Sequence, residues 1–216
     1  MTSPSGSPSG PPGSPPGSAA RLPPAATLGI RGLGLHLRPW RPGDASAIVR
    51  GVADPAYRRW NTPKLLVETE DEALEWVRAR ALDYENGVGC VLAIARDEPG
   101  ASAEAIGSVG VGVLDLWMRR GTIGYWVLPE ERGRGIARRA LTVFTRWAFD
   151  EVGLHRLSLG HAVGHEASCR VAKRCGYRYE GAMRGEMFEA GDTSRFRDAH
   201  LHARLATDPE PGPVGC

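Results

Sequence analysis

Apolar residues recur along the chain in two rhythms, and the switches between them mark out its elements. Leu33, Leu35 and Leu37 alternate with other residues, which predicts a strand over 33–38 with one buried face. Arg41-Pro42-Gly43-Asp44 then reads as a turn and cap for a helix over 45–53, which Asp54-Pro55 breaks. Residues 57–67, with Trp60, Asn61 and Pro63, follow neither rhythm and read either as a surface loop packing an aromatic ring or as a substrate-facing lid. Thr69 and Glu72 have capping-box spacing, so a second helix starts there, with Leu74, Val77, Ala81 and Leu82 on one side, and stops at Asn86-Gly87.

Three strands come next, over 90–95, 106–116 and 123–127. Turns at 97–103 and 118–121 join them into an antiparallel meander. Gly107, Gly110 and Gly112 in the second strand mark bulges or close backbone approach, or else merely weaken it. The helical rhythm returns in Ile136, Ala140, Val143, Phe144, Trp147 and Ala148. His155, Leu157 and Leu159 then alternate against Arg156 and Ser158. A strand, a crossover helix and a strand place the segments at 123 and 155 parallel and side by side.

Candidate chemistry gathers where the third meander strand meets the long helix. Pro129 ends the strand, and Arg132-Gly133-Arg134-Gly135-Ile136-Ala137 leads into the helix. The first-turn N–H groups of a helix have no partner within it and lie at its positive dipole end. Glycines at 133 and 135 clear the approach to those amides, and Arg132, Arg134 and Arg138 add charge, so the turn suits a phosphate or diphosphate. A Walker loop is excluded because it needs a lysine, and a dinucleotide fingerprint because Arg138 stands where a small residue is required.

Length and charge narrow the field. A chain of 216 residues holds one domain with a sizeable core. Residues 1–27, rich in Ser, Pro, Gly and Ala, are expected to be a disordered tail, residues 208–216 a flexible one, and 28–207 the folded domain. A formal charge of +2 gives no case for nucleic acid or a membrane surface. There is no apolar run of membrane-spanning length and no signal-peptide core, so the expected location is cytoplasmic. Cys90, Cys169, Cys175 and Cys216 lack the paired spacing of a zinc or redox site, and no metal is expected.

The spacing Arg132-x-x-Gly135-x-Ala137 resembles the Arg/Gln-x-x-Gly-x-Gly/Ala signature of the GNAT N-acetyltransferase superfamily. Two further blocks are similar to its ribosomal-protein alanine N-acetyltransferase branch. One is Leu37-Arg38-Pro39 followed by Asp44, and the other is Glu166-Ala167-Ser168-x-Arg170-Val171 followed by Gly176-Tyr177. Segments 177–183 and 196–205, with Asp198, look like the last two strands of that branch. The resemblance implies an α/β (α+β) GNAT fold. Its central, mostly antiparallel sheet is flanked by helices on both faces and splayed between the fourth and fifth strands, where acetyl-coenzyme A lies.

By that resemblance the cofactor meets Val127, Leu128, Arg132, Gly133, Arg134, Gly135, Ile136 and Ala137, with His165 and Ser168 opposite. His165 replaces the asparagine that in many relatives bonds the cofactor's pantetheine arm, and either takes that role or only begins a helix. The Val127 N–H is implied to stabilise the oxyanion formed when an amine attacks the thioester. The tyrosine that many members use to protonate the leaving thiolate falls at Ala172, which leaves Ser168 or water. Glu186 is the implied general base, with Asp115 and His161 as further candidates.

The expected function is acetyl transfer to an amine, on a protein N-terminus or a small molecule such as an antibiotic or amino acid. The competing reading is a non-catalytic acyl-coenzyme A-binding module. The acceptor would be shaped near Trp40, 57–67 and 188–196, and an exposed sheet edge or helix face could support a homodimer.

Overall fold

In the computed structural model β3 (Cys90–Arg96), β4 (Gly107–Asp115) and β5 (Arg120–Val127) pair antiparallel as a meander. The structure describes residues 19–62, 66–97, 104–190 and 192–212, so most of the turn expected at 97–103 lies outside the described residues. A Cβ on Gly107 would lie 2.4 Å from the Trp126 carbonyl oxygen, and one on Gly110 2.2 Å from that of Cys90. Both glycines therefore mark close backbone approach. Gly112 sits where the register shifts between Val111 and Val113, and marks a bulge.

Around the meander the sheet grows to eight strands, in the order β1-β2-β3-β4-β5-β6-β8-β7. The added strands are β1 (Ile30–Gly32), β2 (Leu35–Arg38), β6 (Arg156–Ala162), β7 (Arg178–Glu189) and β8 (Asp192–Leu205). All neighbours are antiparallel except β5 and β6, the parallel pair expected from the crossover helix. The strand expected over 33–38 begins only at Leu35, as β2, and a further short strand, β1, precedes it. Leu33 and Gly34 take positive φ and turn the chain between β1 and β2, which leaves Leu33 half exposed.

Helices cover both faces. On one lie α4 (Ile136–Asp150) and α5 (Glu166–Arg174), packed over Leu141, Phe144, Leu157 and Tyr177. On the other lie α1 (Ala45–Ala53), α2 (Pro55–Trp60) and α3 (Glu70–Glu85), around Trp40, Ile48, Val77 and Leu128. Each buried side chain of this size contributes about 1.5–3 kcal/mol to the two cores. Trp126 on β5 stacks with Trp40 at 6.0 Å and meets the edge of Tyr57 at 6.3 Å, fixing α2 on the sheet. At the start of this layer Arg38 and Asp44 form a buried bidentate ion pair at 2.7 and 2.8 Å.

Described residues on either side of the expected domain make contacts with it. Arg21 N–H donates to the Val152 carbonyl at 3.1 Å, and the Tyr84 hydroxyl donates to the Pro23 carbonyl at 2.6 Å. Ala20 is buried in the α4-side core, with Leu22 packed against it. Residues 19–27 thus lie on the folded unit, although the sequence reads them as tail. Glu210 likewise accepts from Arg146 at 3.1 Å and from Arg204 at 2.9 Å. No helix among the described residues is long and apolar enough to cross a membrane.

Candidate active site

β5 and β6 pair only over Arg120–Thr122 and Arg156–Ser158, and then part. β6 stays paired with β8 along Arg156–Ala162, and β5 with β4 as far as Val127, so the sheet opens into two arms. Leu128 N–H donates to the Ile106 carbonyl at 3.0 Å, on the β4 side. Backbone groups of successive strand residues point to opposite sides, so the Val127 N–H faces the gap. The Val127 carbonyl faces it too and accepts from Arg132 Nε at 3.1 Å.

The basic turn begins immediately past Val127. A short 3-10 turn over Pro129–Glu131 leads to Gly133 and Gly135, at φ of 77° and 70°. In that left-handed region any other residue would be strained. Gly135 is the N-cap of α4, no side chain caps the helix, and a Cβ on either glycine would meet nothing within 4 Å. The first-turn amides of α4 are thus left without a side-chain partner beside open space.

That space is a cleft of about 490 Å³ between the turn and α5. Gly133, Gly135 and Ala137 line one wall, and Ala167, Arg170, Val171 and Arg174 the other. Arg138, Arg170 and Arg174 all face it, and among the described residues none of the three is held in an ion pair. The one carboxylate in the lining, Glu131, is already paired with Arg96 at 2.5 Å and Arg134 at 3.1 Å. The cleft is therefore positive, as a polyphosphate requires. Arg170 entered the sequence reading only as part of the block from Glu166 to Val171 and Arg174 not at all, although their spacing of four puts them on one helical face with Ala167 and Val171.

The expected contact residues are not equally placed. Val127, Arg132, Gly133, Gly135, Ile136 and Ala137 line the cleft. Arg132 is also committed elsewhere, donating to Asp54 Oδ2 at 2.5 Å and so tying the turn to the start of α2. Arg134 pairs with Glu131 and is not part of the lining. Leu128 is directed away from the cleft. Its side chain is buried in the core of the α1–α3 layer, its N–H goes to Ile106, and its carbonyl accepts from Glu131.

Across the gap, Ser168 is buried in the first turn of α5, with Oγ 2.9 Å from the Tyr125 hydroxyl. Burial pushes the Tyr125 pKa up to about 12, so the phenol keeps its proton at neutral pH. Ala172 is fully buried, and the nearby hydroxyl pair comes from Tyr125 and Ser168 instead. Tyr125 was legible only as a strand residue. Its place two residues before Val127, on the same side of β5, is the signal that it reaches the gap.

His165, the N-cap of α5, lies parallel to the Trp60 ring at 4.7 Å. Burial first, then repulsion from His161, Arg197 and Arg132, lowers its pKa to about 4, so the ring is neutral. Residues 55–60 are thus a helix rather than a loop, though its Tyr57 and Trp60 rings pack inward as the loop reading expected of an aromatic ring, and residues 63–65 of the expected stretch lie outside the described residues. The signal was Asp54-Pro55 itself: Asp54 Oδ2 accepts the Tyr57 N–H at 2.8 Å, and Pro55 opens the first turn.

Glu186 is exposed on the irregular stretch of β7 between Met183 and Met187. Met187 pairs with Arg197, whose guanidinium lies 5.9 Å over the Trp60 ring, so Glu186 stands near the rim that α2 and α5 form. Asp115 instead accepts the Met118 N–H at 2.9 Å within the β4–β5 turn. His161 is buried on β6, with Nδ1 3.0 Å from the Ala162 carbonyl.

Comparison with known proteins agrees with this geometry. Residues 34–178 match the model of the acetyltransferase (GNAT) domain. An uncharacterized N-acetyltransferase of Bacillus subtilis, YoaA, is 28% identical over 73% of this chain and 86% of its own. The ribosomal-protein-serine acetyltransferase of Escherichia coli is 23% identical over 64% of this chain and 73% of its own. The structure of RimJ from Mycobacterium smegmatis in complex with CoA-disulfide superposes with a TM-score of 0.71 at 24% identity, covering 85% of this chain and 90% of that one. With a splayed sheet, an uncapped glycine turn and a family match over most of its length, the chain belongs to the GNAT family of acetyltransferases.

Proposed function

We propose that this acetyltransferase moves the acetyl group of acetyl-coenzyme A onto the α-amine of a protein N-terminus, within the gap between β5 and β6. The observation that carries the proposal is the parting of β5 from β6 immediately beside an uncapped, arginine-flanked glycine turn. Support for a protein acceptor comes from relatives named as ribosomal-protein acetyltransferases.

In this reading the N–H groups from Gly133 to Ala137 hold the diphosphate, and Arg138, Arg170 and Arg174 supply countercharge. The cofactor's amide-bearing arm follows the unpaired edge of β5 beyond Thr122, bonding as a strand would. That course brings the thioester oxygen to the Val127 N–H. The neutral amine attacks the carbonyl carbon, a C–N bond forms, and the C–S bond breaks. The departing thiolate takes a proton from Ser168 Oγ, which Tyr125 orients and to which water returns a proton, and the attacking nitrogen gives up its proton to Glu186 at the rim, which releases it to solvent. His165 contributes a neutral ring beside the arm. Holding both reactants in one complex is worth up to about 7–11 kcal/mol of barrier.

The test is thiol release from acetyl-coenzyme A with a panel of peptides bearing free or blocked N-termini and a panel of small amines. The expected result is turnover with free-N-terminus peptides only, with the acetyl group located on the α-nitrogen. Turnover confined to small amines would overturn the acceptor class. Tight cofactor binding without turnover would instead establish a non-catalytic module.

A further inference from the structure

Beneath the first turn of α5, on the opposite side of that helix from the arginines, three donor side chains meet. They are His161 from β6, Cys169 from α5 and His202 from β8, and one donor atom from each lies within 4.8 Å of the others. His161 and His202 are buried, and Cys169 is half-buried.

The backbone sets the tautomers. His161 Nδ1 lies 3.0 Å from the Ala162 carbonyl, and His202 Nδ1 3.3 Å from that of Tyr177. A carbonyl only accepts, so each Nδ1 carries the proton and each Nε2 keeps a lone pair. His202 Nε2 is 3.9 Å from Cys169 Sγ. His161 Nε2 is buried with no hydrogen-bond partner in a residue only 4% exposed. A buried acceptor left unmet destabilises the fold, so this arrangement calls for something to fill it.

We infer that His161, Cys169 and His202 form a binding site for a zinc-class divalent ion, which pins α5 to the β6–β8 arm of the sheet. One thiolate and two imidazoles favour Zn2+ over the harder cations, and each imidazole has a backbone carbonyl holding its other nitrogen, the usual outer shell of a metal histidine. Bonds of about 2.0–2.3 Å bring tetrahedral donors to about 3.3–3.8 Å apart, which small side-chain rotations from the present positions achieve. Water takes the fourth position. Binding releases the Cys169 thiol proton to solvent, and the two neutral imidazoles release none. Cys169 directly follows Ser168, so the ion would fix the turn that carries the hydroxyl facing Tyr125. The site itself does not depend on the acyl-transfer chemistry.

The test loads chelator-stripped full-length chain with Zn2+ or with Co2+ as a spectroscopic stand-in. The expected result is one tightly held ion per chain, a rise in melting temperature, and a Co2+ spectrum with tetrahedral ligand-field bands and thiolate charge transfer. Cys169→Ser, checked for native circular dichroism, should lose the charge-transfer band. It should also weaken Zn2+ binding by more than the roughly 10- to 100-fold that losing an outer-shell partner costs. His161→Gln should behave in the same way, whereas His200→Gln, beside His161 but outside the set, should still bind. Failure of the wild-type chain to bind one ion, or undiminished affinity in Cys169→Ser, would overturn the site.

Discussion

The Tyr125 hydroxyl and Ser168 Oγ meet at 2.9 Å, joining β5 to the first turn of α5 across the opening in the sheet. The pair supplies the hydroxyl that Ala172, buried one turn further along α5, does not. If Ser168 protonates the thiolate and Tyr125 orients it, Ser168→Ala lowers kcat by about 100-fold and Tyr125→Phe by about 10-fold, with little change in the KM for acetyl-coenzyme A. Steady-state thiol release separates the two constants. A rise in KM at constant kcat would mean that the pair serves binding alone.

Gly135→Ala should act on binding. At φ of 70° an alanine is strained by roughly 1–2 kcal/mol, and its methyl enters the space beside the α4 amides. The expected outcome is at least about tenfold weaker acetyl-coenzyme A affinity by titration calorimetry, with a native circular dichroism spectrum. Unchanged affinity would move the diphosphate away from the turn.

Asp44→Ala tests the buried pair at the start of the α1–α3 layer. Removing the carboxylate leaves the Arg38 guanidinium buried without its bidentate partner, so a loss of about 3–5 kcal/mol in denaturant unfolding is expected. A loss below about 1 kcal/mol would show that water replaces Asp44 there.

Asp54 gives a pH dependence with a definite sign. Burial opposes its charge, but the Arg132 side chain and the Tyr57 N–H outweigh that and hold its pKa below the usual 3.8. A depressed carboxylate stabilises the fold above its unfolded pKa and loses that contribution as pH falls through the folded value. Asp54→Asn should therefore be less stable than wild type by about 1 kcal/mol near pH 7, and the gap should close as the pH drops below about 4. Urea titrations at several pH values check this, and a gap that widened in acid would reverse the assignment.

Much of this organisation was legible where one local cause dominates. The Thr69–Glu72 capping box forms in both directions, at 3.2 and 3.1 Å, and the apolar stripe from Ile136 to Ala148 lies on a helix. The parallel neighbours β5 and β6 followed from chain connectivity. The buried side of α3 followed only in part: Val77 is buried and Leu74 packs against the core, as expected, but Ala81 is exposed. The buried side is Ala73, Val77 and Tyr84, while Leu82 is exposed, because the stripe facing α1 and β3 carries alanine and tyrosine where a leucine count points elsewhere. Six-residue α2 was too short for periodicity to reveal. The approach of Cys169 to His161 and His202 depends on β8 folding back beside β6, which no spacing along the chain expresses.

The most direct check is the structure of the full chain with coenzyme A. The expected density puts the diphosphate within hydrogen-bonding distance of the backbone nitrogens from Gly133 to Ala137, with the thiol arm running between β5 and β6 toward Val127. A cofactor bound elsewhere, or β5 and β6 found zipped together past Thr122 and Ser158, would contradict the account.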